Sequence, residues 1–271
     1  MSMYIDLLKN CLLDLHRAGQ TEYKPIQKKK ASSVRGLLLG LNSVLRKKNM
    51  VICDVKPYNE DARINGIDWP MYADSMIGLK RMNNLEYCVT KILEENVPGD
   101  FIETGVWRGG SCIFMAALLK EKNITNRNVW VADSFEGLPK PNIEKYAEDK
   151  DDIHYIHPEL AISMETVKAN FSKYDLLGDN IKFLKGWFKD TLPTAPIDTL
   201  AILRLDGDMY ESTMDGLVNL YHKLSKGGYL IVDDWGVVEA CKKAVLDFRQ
   251  QHNINDEIID IDGSGVYWKK S

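Results

Sequence analysis

Phe101-Ile102-Glu103-Thr104-Gly105-Val106-Trp107-Arg108-Gly109-Gly110 is the stretch around which the chain resolves into a fold. Val97-Pro98-Gly99-Asp100 before it is a turn signal, and Phe101-Ile102 reads as the end of a short buried strand. Residues 111–120 after it (SCIFMAALLK) have the apolar spacing and alanine content of a helix packed on a sheet. The order is strand, acidic residue, glycine loop, helix. Gly105, Gly109 and Gly110 let a ligand approach the backbone, and free N–H groups at the helix start suit polar ligand atoms. Glu103 places a carboxylate at the crevice beyond the strand end, where open α/β sheets bind ligands. The same glycines would also serve a plain strand-to-helix turn, so the stretch alone leaves both readings open.

Downstream, strands alternate with helices, which implies a parallel sheet with right-handed crossovers. The candidate strands are 101–102, 128–132 (NVWVA), 181–185 (IKFLK), 200–205 (LAILRL) and 229–232 (YLIV). Residues 212–224 supply a crossover helix, Lys226-Gly227-Gly228 a return turn, and 238–250 a further helix. Two strands, 257–261 and 266–269, then flank the hairpin signal Asp262-Gly263-Ser264-Gly265. Five parallel strands closed by an antiparallel hairpin predict an α/β chain with the Rossmann-like fold of class I methyltransferases. Its sheet would be mostly parallel and seven-stranded, with the antiparallel hairpin at the C-terminal edge. Nicotinamide-binding domains finish on a parallel strand instead.

Upstream, residues 4–18 carry a helical stripe (Ile5, Leu8, Cys11, Leu12, Leu15) with Gly19 as its stop. Lys24-Pro-Ile-Gln-Lys-Lys-Lys30 reads as a solvated linker, and 34–47 as a second helix with a basic end. Residues 56–68 (KPYNEDARINGID) are polar and turn-rich, without a clear period. A loop of that length in a compact protein points to function, here one wall or lid of a site. Trp69 to Ser75 leads into a helix over 76–96, with Leu79, Met82, Leu85, Val89, Ile92 and Leu93 on one face.

The net charge of −4 and pI of about 5.8 argue against a dedicated nucleic-acid binder. No apolar run approaches the roughly 20 residues needed to span a bilayer, and the start lacks the pattern of a signal peptide. Cys11, Cys53, Cys88, Cys112 and Cys241 are scattered and odd in number, which reads as reduced core thiols of a cytoplasmic protein.

Acidic residues recur at the predicted strand ends. Asp133, after the second strand, is placed to accept hydrogen bonds from ribose hydroxyls, or else to cap the turn through Ser134 and Gly137. Thr104 to Gly110 is not G-x-G-x-x-G, which favours a loop passing a methionine moiety over one built for pyrophosphate. The fourth strand ends in Asp206-Gly-Asp208 and the fifth in Asp233-Asp234. Carboxylates gathered on neighbouring strand ends repel one another, and a divalent cation relieves that cost. All-oxygen ligands favour Mg²⁺ or another hard ion over zinc. Asp206, Asp233 and Asp234 are the candidate ligands, with Asp208 left as the structural one. A metal lowers the pKa of an acceptor hydroxyl and a carboxylate takes its proton; Asp206 is the candidate for both duties.

Residues 138–171 form a second long interruption, with an acidic run (148–152), His154 and His157; it reads as a lid over the crevice. The histidines are either accessory bases or ligands, or ordinary loop residues. Trp187 and Phe188, after the third strand, suit an adenine face or plain core packing.

Taken together, ETGVWRGG, VADSFEGLP, GWFKDTLPTAP, LRLDGDMYESTMD, LSKGGYLIVDDW and GVYWKK resemble the macrocin-type (TylF/MycF) O-methyltransferase family, from about Trp69 to the C-terminus. The resemblance implies transfer of a methyl group from S-adenosylmethionine to a sugar hydroxyl, usually a deoxysugar of a natural product, with Mg²⁺. It matches Asp206, Asp233 and Asp234 to the metal triad, with Asp206 as base. It matches Glu103, Thr104, Gly105, Val106, Trp107, Asp133 and Ser134 to the cofactor site, flanked by Met76, Ile77 and Gly78. It further implies a catalytic domain over 97–271, an N-terminal helical extension and acceptor-side lid over 1–96, a small glycosylated or sugar acceptor, and a homo-oligomer. Residues 1–68 and 138–165 match poorly, which leaves open a catechol-like or other non-sugar acceptor. A nicotinamide oxidoreductase lacks its pyrophosphate loop here, and a non-catalytic nucleotide-binding module leaves the aspartate cluster without purpose.

Overall fold

The computed structural model describes residues 2–26 and 33–271. Most of the basic stretch read as a linker, from residue 27 on, lies outside the described residues. The elements run α1 (Met3–Leu12), β1 (Thr21–Pro25), α2 (Ser33–Arg46), β2 (Cys53–Pro57), α3 (Glu60–Asn65) and α4 (Leu79–Glu94). The alternating part follows: β3 (Asp100–Thr104), α5 (Gly110–Glu121), β4 (Val129–Asp133), α6 (Met164–Lys173), β5 (Ile181–Lys185), α7 (Phe188–Thr191), β6 (Leu200–Leu205), α8 (Tyr210–Leu220), β7 (Leu224–Val232) and α9 (Glu239–Gln251). The chain closes with β8 (Ile259–Asp260) and β9 (Val266–Lys269).

The sheet has the order β5-β4-β3-β6-β7-β9-β8, with β3 to β7 parallel and β9 antiparallel to both its neighbours. This is the expected mostly parallel seven-stranded sheet. Residues alternate along each strand between two apolar layers. Phe101, Val129, Val131 and Ile202 join α1, α4 and α5 in one. Ile102, Trp130, Ala132, Leu203 and Leu205 join α8 and α9 in the other. Both faces are covered, which is why the strands read as continuous apolar runs. Helix α5 shows the same logic: residues 110–119 are all buried.

Several elements differ from the sequence reading. The first helix stops at Leu12, not Ala18. The Leu12 carbonyl accepts from Asp74 and Ser75 N–H (2.9 and 3.1 Å), and Asp14 takes a left-handed conformation (φ 57°). The polar 56–68 stretch is not a loop. Its first residues complete β2, antiparallel to β1, and its centre is α3. Asn59 caps α3 by accepting from Ala62 N–H (3.0 Å), and Gly66 ends it at φ 63°. Helix α4 begins at Leu79, so Met76, Ile77 and Gly78 form its approach. Lys226-Gly227-Gly228 is not a turn but part of β7, bulged against β6 and tied to β9 through Lys270. Strand β8 shrinks to two exposed residues at the sheet edge. No helix among the described residues is long and apolar enough to cross a membrane. All five cysteines are free, and Cys88, Cys112 and Cys241 are buried.

Candidate active site

A cavity of about 640 Å³ opens beyond the carboxyl ends of β3, β4, β6 and β7. Its position follows from the topology: β4 turns out to one side of β3 and β6 to the other, leaving a crevice between their loops.

Glu103 and Arg204 are in register across β3 and β6, on the layer shared with α4 and α5. Both are 1% exposed. The guanidinium of Arg204 donates through Nη1 to Glu103 and Asp206 and through Nη2 to Asp233. Arg81, from α4, donates to the other Asp233 oxygen, to Asp262 (3.0 Å) and to the Gly66 carbonyl (2.9 Å). Four carboxylates (Glu103, Asp206, Asp233 and Asp262) thus share two guanidinium groups, and a fifth, Asp234, stands beside them. The sequence reading assigned the relief of their repulsion to a cation alone; two arginines supply part of it. A charged residue inside the apolar run LAILRL was the available signal for Arg204.

The remaining imbalance is visible in the acids. Burial, and then the Asp233 charge, push Asp206 well above the usual carboxylate range despite Arg204. Burial, and then Asp208, do the same to Asp234. Asp208 is pushed up to about 6 by burial. Its backbone, left-handed at φ 57°, donates N–H to Asp234 Oδ2 (3.0 Å), and the residue lines the cavity as well. Asp206, Asp233 and Asp234 each present one carboxylate oxygen within 4.8 Å of the others. A crowded, charge-deficient, all-oxygen set of this kind fits a hard divalent cation.

The loop after β3 is packed against the loop after β6. Gly105 adopts φ +87°, and a Cβ there would collide with the Asp206 carbonyl oxygen. The Asp206 N–H donates to the Thr104 carbonyl (2.9 Å), and the Gly105 N–H to Ala132 (2.9 Å). Asp133 accepts from Val106 N–H (2.8 Å) and Phe135 N–H (2.7 Å), so it braces two turns while also lining the cavity. Trp107, at φ 47°, donates its indole N–H to the Glu159 carbonyl (3.0 Å).

Met76, Ile77, Glu103, Gly105, Val106, Trp107, Asp133, Ser134, Trp187, Asp206, Asp233 and Asp234 all line the cavity, as does Phe188. Gly78 and Thr104 do not. Gly78 sits so close to the backbone of Ile64 and Asn65 that a side chain has no room. Thr104 is buried under the crevice, its hydroxyl without a hydrogen-bond partner among the described residues. Neither histidine lines the cavity: His154 Nδ1 pairs with Asp152 (2.8 Å), and the His157 ring stands edge-on to Trp69, 5.0 Å between centroids. The 66–69 stretch and Leu138, Pro139, Lys140, Asn142 and Leu160 form the outer walls. Arg63, wholly buried, secures that side by donating to the Met76 and Ile77 carbonyls while pairing with Asp68.

A doubly covered sheet of this order, closed by an antiparallel strand and with a glycine loop free of a pyrophosphate motif, is the architecture of a class I methyltransferase. The solved O-methyltransferase NovP has the same architecture: TM-score 0.83 and 44% identity, over 99% of this chain and 98% of that one. The chain belongs to the macrocin-O-methyltransferase (TylF) family, which it matches over residues 1–270. Demethyldecarbamoylnovobiocin O-methyltransferase of Streptomyces niveus is 54% identical over 215 residues, 79% of this chain and 82% of that enzyme. The 8-demethyl-8-(2,3-dimethoxy-alpha-L-rhamnosyl)-tetracenomycin-C 4'-O-methyltransferase of Streptomyces olivaceus is 53% identical over 210 residues, 77% and 80% of the two chains.

Proposed function

We propose that the enzyme methylates a sugar hydroxyl of a small glycosylated natural product, with Asp206 as the base. The observation that carries this is the meeting of Asp206, Asp233 and Asp234 at the cavity floor, beside the loop that would hold the methyl donor. The same three aspartates would hold Mg²⁺, which when bound makes an acceptor hydroxyl more acidic. Asp206, fixed on one oxygen by Arg204 (2.6 Å), has its other oxygen free to receive the hydroxyl proton. Glu103, Gly105 to Trp107, Asp133 and Ser134, with Met76, Ile77 and Trp187 opposite, would enclose S-adenosylmethionine. The walls at 66–69 and 138–160 would exclude water and select the acceptor. The rhamnosyl group named in the Streptomyces olivaceus relative's substrate supports a sugar acceptor.

A panel of glycosylated and catechol-like acceptors, followed by S-adenosylhomocysteine release with and without EDTA, tests this. Turnover is expected with a glycoside, to be lost with EDTA and restored by Mg²⁺. A preference for the phenols, or full turnover in EDTA, overturns the sugar reading or the metal reading respectively.

A further inference from the structure

Helix α8 begins four residues after Asp206, yet its own N-cap residue, Met209, offers no side chain to the free N–H groups of the first turn. The cap comes from elsewhere. Asp149, in the 138–163 segment, accepts from Tyr210 N–H through Oδ1 (2.6 Å) and from Glu211 N–H through Oδ2 (3.1 Å). It is 1% exposed, although the sequence around it is a run of charges. The carboxylate also lies at the positive end of the helix, where its charge is favoured. Tyr146 packs against Tyr210 (5.6 Å between centroids), and Glu148 faces Lys243 of α9 (3.8 Å), so the contact is a docked surface rather than one bond.

The segment is held at a second point. The Glu159 carbonyl accepts from the Trp107 indole (3.0 Å), on the loop that follows β3. Leu138, Lys140 and Leu160 of this segment line the cavity. One insert therefore grips both the β3 loop and the helix that continues from Asp206.

We propose that Asp149 is a positioning residue for methyl transfer: by capping α8 it seats the 138–163 segment over the cavity and fixes the loop from Asp206 to Met209. The claim rests on the reading of Asp206 as the base. With Asp149 in place, the lid closes only against a formed first turn of α8, and Asp206 keeps its place at the end of that closed unit. Without it, the lid loses its inner anchor while the β3 loop, Asp133 and the pocket for the methyl donor remain. Small displacements of a reacting group cost rate steeply, about 100-fold for 1 Å.

Asp149→Ala, Asp149→Asn and Asp206→Asn are compared with the native enzyme for kcat, acceptor KM, S-adenosylhomocysteine affinity and Tm. Asp149→Ala is expected to lower kcat about tenfold or more and raise the acceptor KM, with S-adenosylhomocysteine affinity within about threefold of native. Asp149→Asn, which keeps one acceptor oxygen, should recover part of kcat. An unchanged kcat in Asp149→Ala overturns the proposal. So does a joint collapse of Tm and S-adenosylhomocysteine affinity in both Asp149 variants, which would make the residue a fold element only. Asp206→Asn separates the two claims: native turnover in that variant removes the base assignment, whereas its inactivity beside a fully active Asp149→Ala removes the positioning role alone.

Discussion

Replacing Arg204 by methionine keeps much of the side-chain volume and removes the charge shared by Glu103, Asp206 and Asp233. Glu103 would keep the Cys112 thiol on its other oxygen (2.9 Å), but water does little to compensate, since it and Arg204 are 1% exposed. Stripping one partner from a buried ion-paired group costs about 3–5 kcal/mol, a large part of the roughly 5–15 kcal/mol that holds a domain folded. For a chain of this length that is a fall of roughly 10 °C in Tm. The pH dependence has a definite sign. Burial already raises Glu103 and Asp206, and the loss of Arg204 raises them further. The folded variant then holds protons that the unfolded chain gives up near pH 4, about the ordinary carboxylate value. Stability from such groups is fully present below that value and is lost as pH rises through the raised one. The deficit of Arg204→Met should therefore be largest at pH 8 and shrink toward pH 5. Thermal melts of both proteins at four pH values across that range measure it. A variant melting within about 2 °C of native at pH 8, or a deficit that widens toward pH 5, would refute the account of Arg204 as the counter-charge; the first threshold stands clear of the roughly 10 °C expected.

Three further outcomes are expected. Gly105→Ala should lose about 1–3 kcal/mol of stability and most activity, because φ +87° and the Asp206 carbonyl both oppose a methyl group; a melt and a turnover assay check it. Asp133→Ala should weaken S-adenosylhomocysteine binding by roughly tenfold or more in calorimetry, since each hydrogen bond to its charge is worth about 1.5–3 kcal/mol. Trp107→Phe keeps the ring but deletes the bond to Glu159, so faster hydrogen exchange should appear in the 138–163 segment with little change in Tm.

The sheet was legible because its strands are buried on both faces. IKFLK and LAILRL coincide with β5 and β6 to the residue, and the hairpin signal at 262–265 does bridge β8 and β9. Strands β1 and β2 were not legible: TEYKP and CDVKP are short, mostly polar and bury no residue fully, and they exist through pairing with each other. The aspartate cluster could be read from strand-end positions, since a parallel sheet brings neighbouring strand ends together whatever their separation in the chain. Arg81 could not. On sequence it is one more basic residue on a helix, and only the packing of α4 turns it toward Asp233 and Asp262. Asp149 was hidden for the opposite reason: its neighbours Glu148 and Lys150 are charged and exposed, while it turns inward.

The contact between Gly105 and the Asp206 carbonyl brings two main chains together with nothing between them. On the proposed function, what the first loop would grasp and what the second would deprotonate are consequently spaced like wheels on one axle, at a gauge cut by neighbouring strands about 4.8 Å apart. Exchanging residues along the rim of the cavity can change which molecule enters, but leaves that gauge alone. A single methyl group added at position 105 would widen it for every passenger at once.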